Sequence, residues 1–177
     1  MLPAVLMGCD MPTLQRDTAP ISRAKGLMAN TSFDGESCIL DREFGLNQVF
    51  MDSPEVAVIN LLGEPLERPP IDPSSDIPIN SIVYPGLNVY LFNNQVAELT
   101  ATDPVWETPS GLRVGLTEEE LFVILGQVPD RARYRSQVVY EIPYCNGGAP
   151  YDLGWTFLLF MDDNGRVMRL DIQRDWP

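Results

Sequence analysis

Apolar and polar positions along this chain follow two periods, and the switch between them marks out its elements. In Leu87-Asn88-Val89-Tyr90-Leu91 the odd positions are apolar and Asn88 points the other way, as in a half-buried strand. Val167 to Ile172 alternates likewise, setting Val167, Arg169 and Asp171 against Met168, Leu170 and Ile172. Two short segments read as helices instead. Val58, Ile59, Leu61 and Leu62 give one an apolar side, and Leu121, Phe122, Ile124 and Leu125 give the other. Ser53 predicts an N-cap with Pro54 at the first helical position, where a missing N–H costs nothing. Thr117 with Glu120 predicts a capping box, and Glu118 and Glu119 suit the positive end of that helix. Gly63 and Gly126 are stops, and Pro65 and Pro129 prevent continuation. Helices of about nine residues need a sheet to lie on. Phe92 to Val96 and Phe160 to Val167 predict the turns of hairpins, and four prolines make residues 68–79 an irregular loop.

These elements recur in one order. Gly45-Leu46 precedes the first helix and its Leu62-Gly63; Gly111-Leu112 precedes the second and its Leu125-Gly126. A strand ending in tyrosine follows each, Ile82-Val83-Tyr84 and Val138-Val139-Tyr140. Glycine-led strands come next, from Gly86 to Phe92 and from Gly154 to Phe160. Val96-Ala97-Glu98-Leu99 and Val167-Met168-Arg169-Leu170 close the two units. The expectation is an α+β fold of two tandem helix-plus-antiparallel-meander units, residues 30–105 and 106–177, behind a tether over 1–29. Their strands would form one continuous sheet with short helices on one face.

The run from Gly111-Leu112 through Leu116-Thr117-Glu118-Glu119-Glu120-Leu121, then Leu125-Gly126, Pro129, an apolar strand and a Phe160-to-Val167 hairpin, resembles a known unit. It is similar to that of the SmpA/OmlA outer-membrane assembly lipoproteins and to the tandem unit of the β-lactamase-inhibitory protein. The resemblance covers residues 111–172 well and 45–100 more loosely. It implies a module that binds other proteins and catalyses nothing. The inhibitor's disulfide within each repeat is missing here, and none of its enzyme-contacting residues carries over, so β-lactamase inhibition is without support.

Composition narrows the chemistry. Twelve basic against 25 acidic side chains leave a net charge of −13, which repels a phosphate backbone and argues against nucleic acid. The 177 residues contain no histidine, so the commonest general base, metal ligand and nucleophile partner are all missing. Glu118, Glu119 and Glu120 are consecutive on a helix and cannot converge as an acid pair. Asp162-Asp163-Asn164-Gly165 opens as calcium loops do, but the twelfth position is Gln173 rather than glutamate, so a hairpin turn is expected. Cys145 has no histidine to activate it. No enzyme activity, cofactor or metal is expected.

The amino end carries a different signal. Leu6-Met7-Gly8-Cys9 resembles a bacterial lipobox, and the polar, proline-containing stretch from Asp10 to Ala29 fits a tether behind a lipid-bearing Cys9. Eight uncharged residues precede Cys9, too few for an export signal, so either the true start lies upstream or the match is accidental. Three cysteines in an exported chain leave Cys38 and Cys145 to pair or to remain as thiols. There is no run of about 18 apolar residues for a membrane-spanning helix. Aromatic residues supply the interface candidates: Tyr90 on an outward strand position, Trp106 between the units, Tyr144 and Tyr151 in the second unit's long loop, and Trp176. With Asn88, Thr156 and Leu158, Tyr90 predicts a partner-binding sheet face opposite the helices. The expected function is a lipid-anchored protein–protein interaction module or accessory subunit in a bacterial cell envelope. The alternative is an acidic inhibitor or immunity-type protein that neutralises a basic enzyme or toxin.

Overall fold

The alternating segments assemble into one antiparallel sheet. The computed structural model describes residues 43–70, 79–125, 130–134, 137–143, 145–146, 149–150 and 155–174. A small hairpin, β1 (Gly45–Leu46) and β2 (Val49–Phe50), leads into α1 (Glu55–Leu62). Then come β3 (Asn80–Tyr84), β4 (Leu87–Phe92), β5 (Gln95–Ala101) and α2 (Glu118–Leu125). β6 (Asp130–Tyr134), β7 (Gln137–Pro143), the two-residue strands β8 (Cys145–Asn146) and β9 (Ala149–Pro150), β10 (Trp155–Met161) and β11 (Val167–Arg174) complete the chain. Seven strands form one sheet in the order β3-β4-β5-β11-β10-β7-β6, while β1 with β2 and β8 with β9 stand apart as pairs.

Residues opposite one another on neighbouring strands share a face, so the ladders assign every side. One row runs Ile82, Val89, Leu99, Ile172, Phe157, Ile142 across six strands, and no member exposes more than 1% of its surface. Val58 of α1 and Leu121 and Leu125 of α2 join the same cluster as this row. The helices are tied to tyrosines on that side: the Tyr84 hydroxyl donates to the Gly63 carbonyl at 2.9 Å, and the Tyr140 hydroxyl donates to Glu118. Phe122 of α2 meets the Tyr140 ring edge-on at 5.6 Å.

Each helix also starts against the tip of a hairpin. Before α1, Val96 N–H donates to the Ser53 carbonyl at 2.9 Å, and Glu55 N–H to that of Asn94 at 2.9 Å. Before α2, Val167 N–H donates to the Leu116 carbonyl at 2.9 Å, and Glu118 N–H to that of Gly165 at 3.1 Å. The Thr117 capping box is formed, with Glu120 N–H donating to Thr117 Oγ1 at 3.2 Å and Thr117 N–H to Glu120 Oε2 at 2.8 Å. Ser53 is not a cap. Pro54 occupies the N-cap in extended geometry without a side-chain bond, because Ser53 is already spent on the hairpin tip.

Two other readings are corrected. Matching the hairpins by their leading glycines is two positions out of register. The ladders pair Tyr90 with Glu98 and Phe160 with Arg169, each followed by a bulge and then Leu91 with Val96 or Met161 with Val167. Counted from the bulge, Tyr90 and Phe160 hold like positions in their own hairpins, and the turn is longer in the second hairpin. Trp106 itself is packed, not open, although Asp103, Pro104, Val105 and Glu107 around it are exposed. Trp106 is buried with its indole N–H on the Pro85 carbonyl at 2.8 Å, and Thr108 and Leu112 beside it are buried as well.

Candidate binding face

The face opposite the helices carries an unusual mixture. Its rows run Ser81, Tyr90, Glu98, Gln173, Thr156 and Val83, Asn88, Thr100, Asp171, Leu158, Glu141, with Arg169 and Phe160 paired beside them. The expected residues Asn88, Tyr90, Thr156 and Leu158 do share this face. It is not a plain solvated surface, however. Phe160, Val139, Thr156 and Asp171 are buried on it, and Tyr90, Glu98, Thr100, Leu158 and Arg169 are half-buried.

At its centre lie two carboxylates and one guanidinium. Arg169 Nη2 stands 3.1 Å from Asp171 Oδ2, and its guanidinium carbon lies 3.6 Å from the centre of the Phe160 ring. The Asp171 side chain is 8% exposed, yet its Oδ1 has no hydrogen-bond partner, and neither does Arg169 Nε. Thr100 Oγ1 donates to Glu98 Oε1 at 3.5 Å, a long bond, and also lies within reach of Asp171. One hydroxyl proton serves two carboxylates. Burial raises the Glu98 pKa above its ordinary value, and the Asp171 charge pushes it the same way; Thr100 and Arg169 pull it back in part. Burial likewise raises Asp171, against the opposing charge of Arg169. Burial and then the Glu98 charge raise the Tyr90 phenol, which stays neutral near pH 7. These groups can receive hydrogen-bond donors and a positive charge.

Sequence reasoning placed Tyr90 on this face but missed Glu98, Arg169 and Asp171 as a group. The alternation in β11 put Arg169 and Asp171 on one side; only the β5–β11 pairing of Asp171 with Thr100 brings Glu98 to them. Cys9, Cys38, Tyr144, Tyr151 and Trp176 lie outside the described residues, and so does any pairing of Cys38 with Cys145. The Asp162 carboxylate caps its own turn, accepting from Asn164 N–H at 2.9 Å and Arg166 N–H at 2.8 Å. Those backbone bonds hold its pKa below the ordinary value. Among the described residues no group of three or more Cys, Asp or Glu side chains is arranged to hold a metal ion. A groove of about 580 Å³ runs beside α2, with Leu116, Val123 and Ile124 in its lining and Glu107, Arg113, Glu119 and Glu120 around it.

No protein-family model matches the chain, and no curated protein sequence matches it. The fold is similar to that of a cysteine-rich secretory protein from Staphylococcus aureus, with a TM-score of 0.51 at 10% identity, covering 76% of this chain and 47% of that one. This chain thus spans about half the length of the staphylococcal protein. An extracellular protein containing an SCP domain from Bacillus anthracis superposes with a TM-score of 0.48 at 11% identity, over 71% of this chain and 44% of that chain. A DUF4309 family protein from Bacillus subtilis gives 0.44 at 13% identity, over 73% and 84% of the two chains. Among the described residues no helix is long and apolar enough to cross a membrane.

Proposed function

We propose that this chain is a non-catalytic, exported protein-binding module that receives its partner on the sheet face opposite the helices. The observation that carries the reading is the mixture on that face, where the half-buried Tyr90 on β4 and Leu158 on β10 lie on either side of the Glu98–Asp171–Arg169 cluster, with Phe160 beneath Arg169. Aromatic and arginine side chains around a partly desolvated centre are how binding hot spots are composed. The cell envelope is the proposed location, with Cys9 as a lipid anchor, which the Leu6-Met7-Gly8-Cys9 spacing supports. Two tandem units are the proposed architecture. Its support is the repeated device of a helix started on a bulged hairpin, together with the pairing of Leu99 with Ile172 and Ala101 with Leu170 about a central Thr100–Asp171 pair. An accessory subunit of an envelope complex is the favoured role. The net charge of −13 also favours an inhibitor of a basic protein, whose association would slow steeply with added salt.

The test is crosslinking in native envelopes followed by mass spectrometry, with Tyr90→Ala as the variant. Crosslinks are expected on β4, β5, β10 and β11, and Tyr90→Ala should weaken capture while the protein stays folded. Crosslinks confined to the helix side, with Tyr90→Ala capturing as wild type does, would overturn the reading. Intact mass of the extracted protein decides Cys9: an acylated Cys9 at the amino end is expected, and an unmodified thiol there rejects the anchor.

A further inference from the structure

We propose that Glu98 and Asp171 form a specific site for a single cationic side chain, an arginine or lysine of the protein partner, seated beside Tyr90 on the sheet. This rests on the interaction-module reading and deepens it. Three observations converge on it. The first is charge. Glu98 on β5 and Asp171 on β11 share one face and feel each other's charge, and among the described residues Arg169 is the one cation acting on both. Two carboxylates against one guanidinium leave the ionised cluster one negative charge in excess, within a chain of net charge −13. The second is satisfaction. Asp171, with its side chain 8% exposed, keeps Oδ1 without a hydrogen-bond partner. Buried carboxylate oxygens are nearly always bonded, and an empty one marks a place for a donor. The third is placement. Tyr90 and Glu98 face each other across the β4–β5 ladder and are half-buried, and Asp171 is buried one strand further on, opposite Thr100.

Glu98 and Asp171 lie on β5 and β11, the third and fourth of the seven strands. Thr100, directly opposite Asp171, cannot satisfy both carboxylates with its one proton. An incoming ammonium or guanidinium brings several donors and a full positive charge, which answers both deficits together. The Arg169 guanidinium pairs with Asp171 at 3.1 Å and lies over the Phe160 ring. A protein side chain is favoured over a free amine because Tyr90 and Leu158 flank the cluster with surface that the partner's backbone and stem would cover.

Nuclear magnetic resonance on the full chain tests this directly. Three probes are titrated at low salt: a blocked tripeptide acetyl-Gly-Arg-Gly-amide, its lysine counterpart, and spermidine. Saturable shifts are expected at the backbone and carboxyl signals of Glu98, Thr100 and Asp171, together with the Tyr90 ring. Glu98→Gln and Asp171→Asn should each weaken peptide binding at least about fivefold. Glu119→Gln, which removes the same charge from the exposed surface of α2, should leave it within about twofold. Equal weakening by Glu119→Gln and Glu98→Gln, or shifts that avoid this face, would overturn the site. Tighter binding of spermidine than of either peptide would overturn its assignment to a protein side chain. If Asp171→Asn does not fold, Glu98→Gln still decides. The two readings fail separately: crosslinks on this face with no peptide binding remove the cation site alone, and peptide binding without crosslinks removes the module alone.

Discussion

Trp106 lies with its indole N–H on the Pro85 carbonyl and 8% of its surface exposed, and its fate was decided by contacts far away in the chain. Nothing local in Asp103-Pro104-Val105-Trp106-Glu107 distinguishes an anchor for a partner from an anchor for the core. Trp106→Ala should therefore cost about 3–5 kcal/mol of stability, read as a lower urea midpoint with unchanged slope. A loss below about 1 kcal/mol would show that the indole is not core. The capping box of Thr117 and Glu120 was legible for the opposite reason, since all its groups lie within four residues. Glu98 presents a different balance. Its pKa is raised by burial and by Asp171, so its contribution to stability is fully present below the unfolded carboxylate value and is lost as pH rises through the folded one. At neutral pH the charge on Glu98 opposes folding. Glu98→Gln should raise the melting temperature at pH 7 by about 2–4 °C, while at pH 4 the two proteins should nearly coincide. The groups facing Glu98 that share in this are Tyr90 on β4, Thr100 on β5, and Arg169 and Asp171 on β11. A lower melting temperature for Glu98→Gln at pH 7 would mean that Glu98 is stabilised by pairing, not strained by burial. Glu120 and Asp162 act in the opposite sense, since backbone bonds lower both and their contribution fades as pH falls.

At the scale of elements, the hairpins were easier to read than their register. The β4–β5 turn is Asn93-Asn94, with φ of 50° and 61°, the left-handed pair that a two-residue hairpin turn needs to follow the strand twist. Asparagine tolerates that region better than other residues with a Cβ. Asn94→Ala should therefore cost about 1 kcal/mol, and Asn94→Gly should be neutral or slightly stabilising. Equal losses in both variants would point to side-chain contacts and not to backbone strain. The turn also bears on α1, because Asn94 supplies the carbonyl that accepts the Glu55 N–H. In the sequence these looked like separate elements, a capped helix and a hairpin. In the structure one start depends on the other, and Ser53 gives up the cap for it. Register belongs to the ladder, where Tyr90 meets Glu98 and Phe160 meets Arg169, and glycines in the preceding loops do not report it.

For the molecule as a whole, the acidic balance was plain in the composition, but where it matters depends on the sheet. Ion pairs such as Arg113 with Glu107 at 3.8 Å and Arg174 with Asp52 at 3.9 Å are exposed and contribute little each. A net charge of −13 on 177 residues therefore acts mainly as self-repulsion in the folded state. Salt should relieve it. Raising sodium chloride from about 0.01 to 0.15 M shortens the screening length from about 30 to 8 Å, so the melting temperature at pH 7 should rise. The gain should fade as the pH approaches the isoelectric point near 4.2, where the repulsion is gone. Val58, Leu99, Leu121 and Ile172 belong to one core cluster, so near-ultraviolet and far-ultraviolet circular dichroism should report the same single transition at every salt concentration. A melting temperature that falls with salt at pH 7 would mean that attractive pairs outweigh the net charge. Two separated transitions would mean that β5 and β11 join two independent cores, and that the central Thr100–Asp171 pair is a seam between domains instead of the middle of one sheet.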